Sequence, residues 1–184
     1  FNNGGATGIG NWDTSSATNM SNMFYNNRNF NQPIGNWDVS NVTLMNNMLR
    51  GGENLGNIYN YAPFNQDLSN WDVSSVTNMG YMFAMQTGFD NGGSTGINNW
   101  NTSGVTNMDY MFRNCHSFNQ PIGNWDTRSL TSTNRIFSRA LTFNQDIGNW
   151  DVSNVTNIGL IFGRGDGPNR GFNNGGSPSI SGWD

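Results

Sequence analysis

Tryptophan sets the ruler of this chain. Trp12, Trp37, Trp71, Trp100, Trp125, Trp150 and Trp183 are separated by 25, 34, 29, 25, 25 and 33 residues. Each carries the same phrase around it, seen most cleanly from Phe143 to Phe162 as FNQDIGNWDVSNVTNIGLIF. A phrase returning at a near-fixed distance decides the fold before any single motif does, because one unit is too short to bury its own apolar face and must stack on its neighbours.

Aligning the units assigns most of the conspicuous residues. Three positions before each Trp stands Ile9, Ile34, Leu68, Ile97, Ile122, Ile147 or Ile180. Two after it stands Val39, Val73 or Val152, or else Thr14, Thr102 or Thr127. Two Met-type positions follow. The first holds Met20, Met45, Met79, Met108, Thr133 and Ile158, and the second holds Met23, Met48, Met82, Met111, Ile136 and Ile161. With 24 Gly and only 11% charged residues, a scrambled chain of this composition would read as disordered. All seven Trp and all twelve Phe instead fall on repeat positions, which points to an ordered, stacked core.

The expected architecture is a repeat solenoid over residues 1–184, a single array of about seven coils of ~25 residues. Period-2 alternation in Ile-x-x-Trp-x-Val predicts one short parallel strand per coil, with Trp and Val inward. Apolar spacings of three and four in V-T-N-M-x-x-M-F predict a short helical or 3₁₀ turn. A second rhythm overlies the first. The Phe-to-Trp connection is long and Gly-rich from Phe1, Phe89 and Phe172 and short in the two units between, giving a three-unit super-repeat. Beginning at Phe1 rather than Met, the chain reads as a segment of a longer one.

The unit F-N-Q-x-I-x-x-W-D-V-S-x-V-T-N-M-x-x-M-F resembles the 25-residue repeat of BspA-like leucine-rich-repeat surface proteins, in the form common in mycoplasma-type lipoproteins. That resemblance covers nearly the whole chain. It implies a right-handed leucine-rich-repeat-like superhelix and an extracellular or cell-surface setting. It also implies roles in adhesion or surface structure, with no catalytic activity. No cofactor is expected apart from the Ca²⁺ considered below. The 34- and 33-residue units, the Gly-rich loops and Thr133 depart from the family pattern.

Composition excludes several chemistries. The net charge is −4, which gives no support for nucleic acid as a partner. All eight basic residues are Arg, so Schiff-base lysine chemistry and P-loop phosphate binding are absent. Cys115 is the sole cysteine and cannot form an internal disulfide. His116 has no second His or Cys beyond that neighbour with which to build a zinc site. No apolar run approaches transmembrane length, so direct membrane insertion is not expected.

The candidate binding residues are the outward file Asp13, Asp38, Asp72, Asn101, Asp126 and Asp151, one after each of the first six Trp, with Asp184 continuing the file after the seventh. The structural reading is an Asx-type turn, with each carboxylate held by the Ser two residues on. The functional reading is a strip that takes Ca²⁺, or donors from a sugar or protein surface. Repeated Asn31, Asn65, Asn119 and Asn144 read as a ladder joining units. Arg164-Gly165-Asp166 forms a candidate adhesion loop, and Asn19, Asn41, Asn101 and Asn154 head N-x-S/T sequons. The expected partners are a protein or glycan surface ligand, or further copies of the chain stacked end to end into a fibre.

Overall fold

The computed structural model describes residues 3–52, 63–163, 172–176, 180 and 183. Successive units lie side by side, and the pairing between them runs through the backbone. Single-residue parallel bridges join Asn19 to Leu44, Leu44 to Asn78, Asn78 to Asn107, Asn107 to Ser132 and Ser132 to Asn157. Beyond each bridge, every second N–H reaches the next unit. Met20, Asn22, Phe24 and Asn26 donate to the carbonyls of Leu44, Asn46, Met48 and Arg50 at 2.8–3.1 Å. The intervening amides close local turns, Met23 to Met20 and Tyr25 to Asn22 among them. Backbone polar groups are thereby shared between neighbours and local turns, as a stacked chain requires.

This pattern relocates the expected elements. The bridges fall at the T-N-M step and not in Ile-x-x-Trp-x-Val. There the Trp37 amide bonds back to the Ile34 carbonyl at 3.1 Å, so the backbone turns between them. The inward phase still holds: Trp37 and Val39 are buried, and Asp38 between them is exposed. The helical turn expected over V-T-N-M-x-x-M-F is a chain of tight turns. Asn22, Asn47, Tyr81, Tyr110, Arg135 and Leu160 occupy one equivalent position, and all have left-handed backbone with φ between 53° and 60°. A helix cannot run through a left-handed residue. Among the described residues, continuous 3₁₀ geometry is confined to the long connections, at Thr7–Asn11 and Thr95–Asn99.

The core is a set of parallel files. Phe30, Phe64, Phe89, Phe118 and Phe143 stack at 5.8–6.1 Å between centroids. The Phe closing each Met turn zips against them, Phe112 on Phe118 at 3.9 Å and Phe137 on Phe143 at 4.0 Å. Trp100, Trp125 and Trp150 form a third file at 6.0–6.2 Å. Every Trp from Trp37 onward donates its indole N–H to the aliphatic carbonyl of the preceding unit, as Trp125 does to Ile97 at 2.8 Å. The polar end of each large side chain is therefore satisfied inside the stack.

The three-unit rhythm has a physical basis. In the long loops, Asn91, Gly92 and Gly93 have φ of 51°, 63° and 83°, and Asn3–Gly5 and Asn174–Gly176 repeat these values closely. Three consecutive left-handed residues favour Asn and Gly over other types. The preceding unit is built to receive the loop. The Leu68 and Ile147 amides donate to the side-chain oxygens of Asn91 and Asn174 at 2.8 and 2.9 Å. Asp67 and Asp146 in turn accept from the Nδ2 groups of the same two Asn. Pro33 and Pro121 stand at the place of Asp67 and Asp146 in the units whose successor is short.

Candidate functional site

The outward Asp strip is held in place by its own neighbours. Oδ1 of Asp13, Asp38, Asp72, Asp126 and Asp151 accepts the backbone amide two residues on, at 2.9–3.2 Å. In three units the Ser hydroxyl also donates to that oxygen, at 2.6–2.7 Å. Hydrogen bonds to the charged form favour it. The side chain and then the backbone of Ser15, Ser40, Ser74 and Ser153 hold Asp13, Asp38, Asp72 and Asp151 below the usual carboxylate range. Arg128 does the same for Asp126, through a side-chain bond and an ion pair. Asn101 makes the same turn without a charge, accepting from the amide and hydroxyl of Ser103.

A Thr file runs beside this strip. Thr43, Thr77, Thr106, Thr131 and Thr156 are exposed, and each donates both its amide and its hydroxyl to the Thr carbonyl of the preceding unit. The expected Asn ladder is present at a third position. Asn65 Oδ1 accepts the amide of Asp90 at 2.7 Å, and Asn119 Oδ1 that of Asn144 at 2.9 Å. Asp90 takes the Asn role in the long unit, accepting from Asn119 at 3.0 Å.

Two expected sites lie elsewhere. Arg164-Gly165-Asp166 lies outside the described residues. Cys115 is fully buried with its Sγ 3.0 Å from the Phe83 carbonyl, and burial drives its thiol far above the ordinary range. That environment makes the thiol inert. Among the described residues no group of three His, Cys, Asp or Glu could hold a metal ion, and no helix is long and apolar enough to cross a membrane.

The structure adds a feature that unit-by-unit reading passes over. Tyr81 and Tyr110, at the left-handed position of adjacent units, stack face to face at 4.4 Å and 8°. Arg50 lies over the Tyr81 ring at 4.6 Å and over Tyr25 at 5.4 Å, while Arg113 and Arg135 flank Tyr110 at 5.7 Å. Arg135 Nη1 also donates to the Tyr110 hydroxyl at 3.1 Å. Arg28 and Arg139 lie on the same edge by register. Of the six Arg among the described residues, only Arg128 falls on the Asp strip. Tyr25, with Met23 and Arg28, also lines an open concavity of about 440 Å³ at one end of this ladder. The signal was present in the aligned units: Asn22 and Asn47 suit left-handed backbone, whereas Tyr81, Tyr110 and Arg135 do not.

Units that share backbone bonds and continuous aromatic files, each repeating the same phrase, define a repeat protein. The chain belongs to the family described as "Mycoplasma protein of unknown function, DUF285", whose model matches residues 1–95 and again 89–175. No curated protein and no solved structure matches the chain.

Proposed function

We propose that this chain is a non-enzymatic, extracellular or cell-surface scaffold that binds a protein or glycan ligand, as in adhesion. In this reading its units wind as a leucine-rich-repeat-like right-handed solenoid of the BspA-like type. One observation carries the proposal. The Phe, Trp, Met and Asn files are consumed by stacking, whereas outward groups recur once per unit along Asp13, Asp38, Asp72, Asp126 and Asp151. A ligand meeting this surface meets the same chemistry several times, and multivalency converts weak contacts into useful avidity. The test is attachment of beads carrying the chain to protein- and glycan-coated surfaces. Changing the five Asp to Asn weakens attachment while the chain stays folded, and shortening the Gly-rich loops weakens it further, at a cost in stability because Asn91 and Asn174 close the preceding units. Unchanged attachment after both sets of changes sinks the proposal.

A second reading, a fibre subunit growing by end-to-end stacking, is favoured by one feature. Parallel bridges repeat at the same step from Asn19 to Asn157, so each unit offers the next one the same pairing geometry that it receives. A further copy of the chain can be received by the same geometry. Electron microscopy of the purified chain decides this: filaments support it, and dispersed short rods reject it.

A further inference from the structure

We propose, beyond the scaffold reading and independently of any ligand, that Tyr81 and Tyr110 form an oxidative cross-linking site. A one-electron oxidant there couples the two rings into dityrosine and braces adjacent units covalently.

Proximity comes first. Within the Arg–Tyr ladder the two rings lie face to face, with centroids 4.4 Å apart and planes 8° from parallel. Among the described residues they are the one pair of tyrosines in ring contact. Their backbones are fixed relative to each other, since the Tyr81 amide donates to the Asp109 carbonyl at 2.7 Å. The Tyr110 hydroxyl accepts from Arg135 Nη1 at 3.1 Å, which anchors the second ring. Two reactants held in this way meet as parts of one molecule, and their encounter costs little further entropy.

Access comes second. Both rings are half-buried, so each keeps a side open to an oxidant in solvent and room to swing from stacked to edge-to-edge. The oxidisable groups nearest in the stack are covered: Cys115 and Met111 are fully buried, and Trp100 and Trp125 are nearly so. Tyr25 is more exposed, at 48%, but has no Tyr against its ring among the described residues.

The backbone gives a third indication. Tyr81 and Tyr110 hold φ of 59° and 58° at the left-handed position where the first two units place Asn22 and Asn47. Bulky side chains rarely adopt that conformation, so the turn itself does not call for them. A covalent brace also fills a gap. The backbone bridges between units are single residues, and the sole cysteine cannot supply a disulfide within the chain.

The chemistry balances as follows. Each phenol gives up its hydroxyl hydrogen, as one electron and one proton, and becomes a phenoxyl radical. Part of the unpaired density lies on the ring carbons beside the oxygen-bearing one, the Cε atoms. The two radicals pair their electrons in a new Cε–Cε bond. The hydrogens on those two carbons then move to the oxygens as protons, which restores both phenols. Two electrons and two protons leave in all, and hydrogen peroxide takes them up through a haem peroxidase to give two waters.

The experiment treats the full chain with haem peroxidase and hydrogen peroxide. In parallel it uses a photogenerated ruthenium(III) complex with persulfate, a small oxidant that reaches surfaces a peroxidase does not. Expected is a chain lighter by two hydrogens, with dityrosine fluorescence and a cross-linked peptide joining Tyr81 to Tyr110. Its yield should not depend on protein concentration. Tyr81→Phe and Tyr110→Phe keep a ring at each position and should each abolish this product, whereas Tyr25→Phe should leave it. In urea the specific link should give way to scattered products among the five tyrosines. The cross-linked chain should unfold at a higher urea concentration than the untreated one, because the tie restricts the unfolded chain. Absence of the Tyr81–Tyr110 product with both oxidants overturns the proposal. So does cross-linking mainly between chains, a product that survives either Phe variant, or an unchanged urea midpoint after cross-linking.

Discussion

The buried amide of Leu68 donates to the side-chain oxygen of Asn91, 23 residues away in the following unit, at 2.8 Å. Asn91 is itself fully buried and sits at φ 51° as the first residue of a Gly-rich loop. One side chain therefore both shapes the loop and closes the preceding unit. Asn91→Ala removes the only acceptor shown for a buried amide and puts Ala into left-handed backbone. The expected loss is about 2–3 kcal/mol, measured by urea unfolding. Asn91→Gly removes the same oxygen but suits the left-handed backbone, so it should still cost most of this. A near-neutral Gly variant would show that backbone strain, and not the hydrogen bond, is the cause.

Thr133 fills the first Met-type position, is fully buried, and has no hydrogen-bond partner for its hydroxyl. Its equivalents Met45, Met79 and Met108 are apolar and equally buried. Thr133→Val exchanges an unsatisfied hydroxyl for a methyl of the same shape. It should stabilise the chain by about 1 kcal/mol, visible as a raised thermal midpoint.

The Asp strip predicts an acid limb. Hydrogen bonds from Ser hold the folded-state pKa of Asp13, Asp38, Asp72 and Asp151 below the ordinary value. A depressed folded pKa contributes stability that is complete above the unfolded value, about 3.9, and is lost as pH falls through the folded one. The thermal midpoint should therefore be insensitive to these groups near neutrality and drop below about pH 4. Asn101 shows that the turn forms without charge, so the combined Asp38→Asn/Asp72→Asn/Asp151→Asn variant should stay folded, lose this limb, and show at pH 7 a midpoint slightly lowered toward that of the parent chain in acid. Calcium should leave the midpoint unchanged, since Oδ1 of each carboxylate is already committed to the turn. A calcium-dependent rise would assign the strip to a cation.

What was legible in the sequence followed from repetition. Phe118, Trp125 and Met108 could be placed in the core because their siblings recur at the same offset, and only an inward position demands such constancy. The Trp37–Val39 alternation reported the buried face correctly, yet the backbone pairing lies at the T-N-M step. Periodicity encodes which side of a chain is apolar and says nothing about where its amides donate. The Arg–Tyr ladder was hidden for the opposite reason. Asn47, Tyr81, Tyr110 and Arg135 share a position but no chemistry, so the position looked variable until the backbone showed it left-handed throughout. The Asp67–Asn91 pairing spans a unit boundary, beyond the reach of a reading made one unit at a time.

Cys115 offers a reporter of the stack. Its thiol is buried between units, bonded to the Phe83 carbonyl at 3.0 Å, and raised far above its ordinary pKa by desolvation. Only the thiolate reacts with disulfide reagents, and none forms at neutral pH while the units stay stacked. In the native chain Cys115 should resist such a reagent for as long as the protein remains folded, and it should react at once in denaturant. Phe118→Ala tests what protects it. Phe118 stacks on Phe89, Phe112 and Phe143 at 6.0, 3.9 and 5.8 Å, and deleting the ring should cost about 3–5 kcal/mol. Because that loss falls on the units around Cys115, labelling in the variant should accelerate about tenfold for each ~1.4 kcal/mol lost. Labelling as slow as in the parent chain would mean that the thiol is shielded by its own turn and not by the aromatic files.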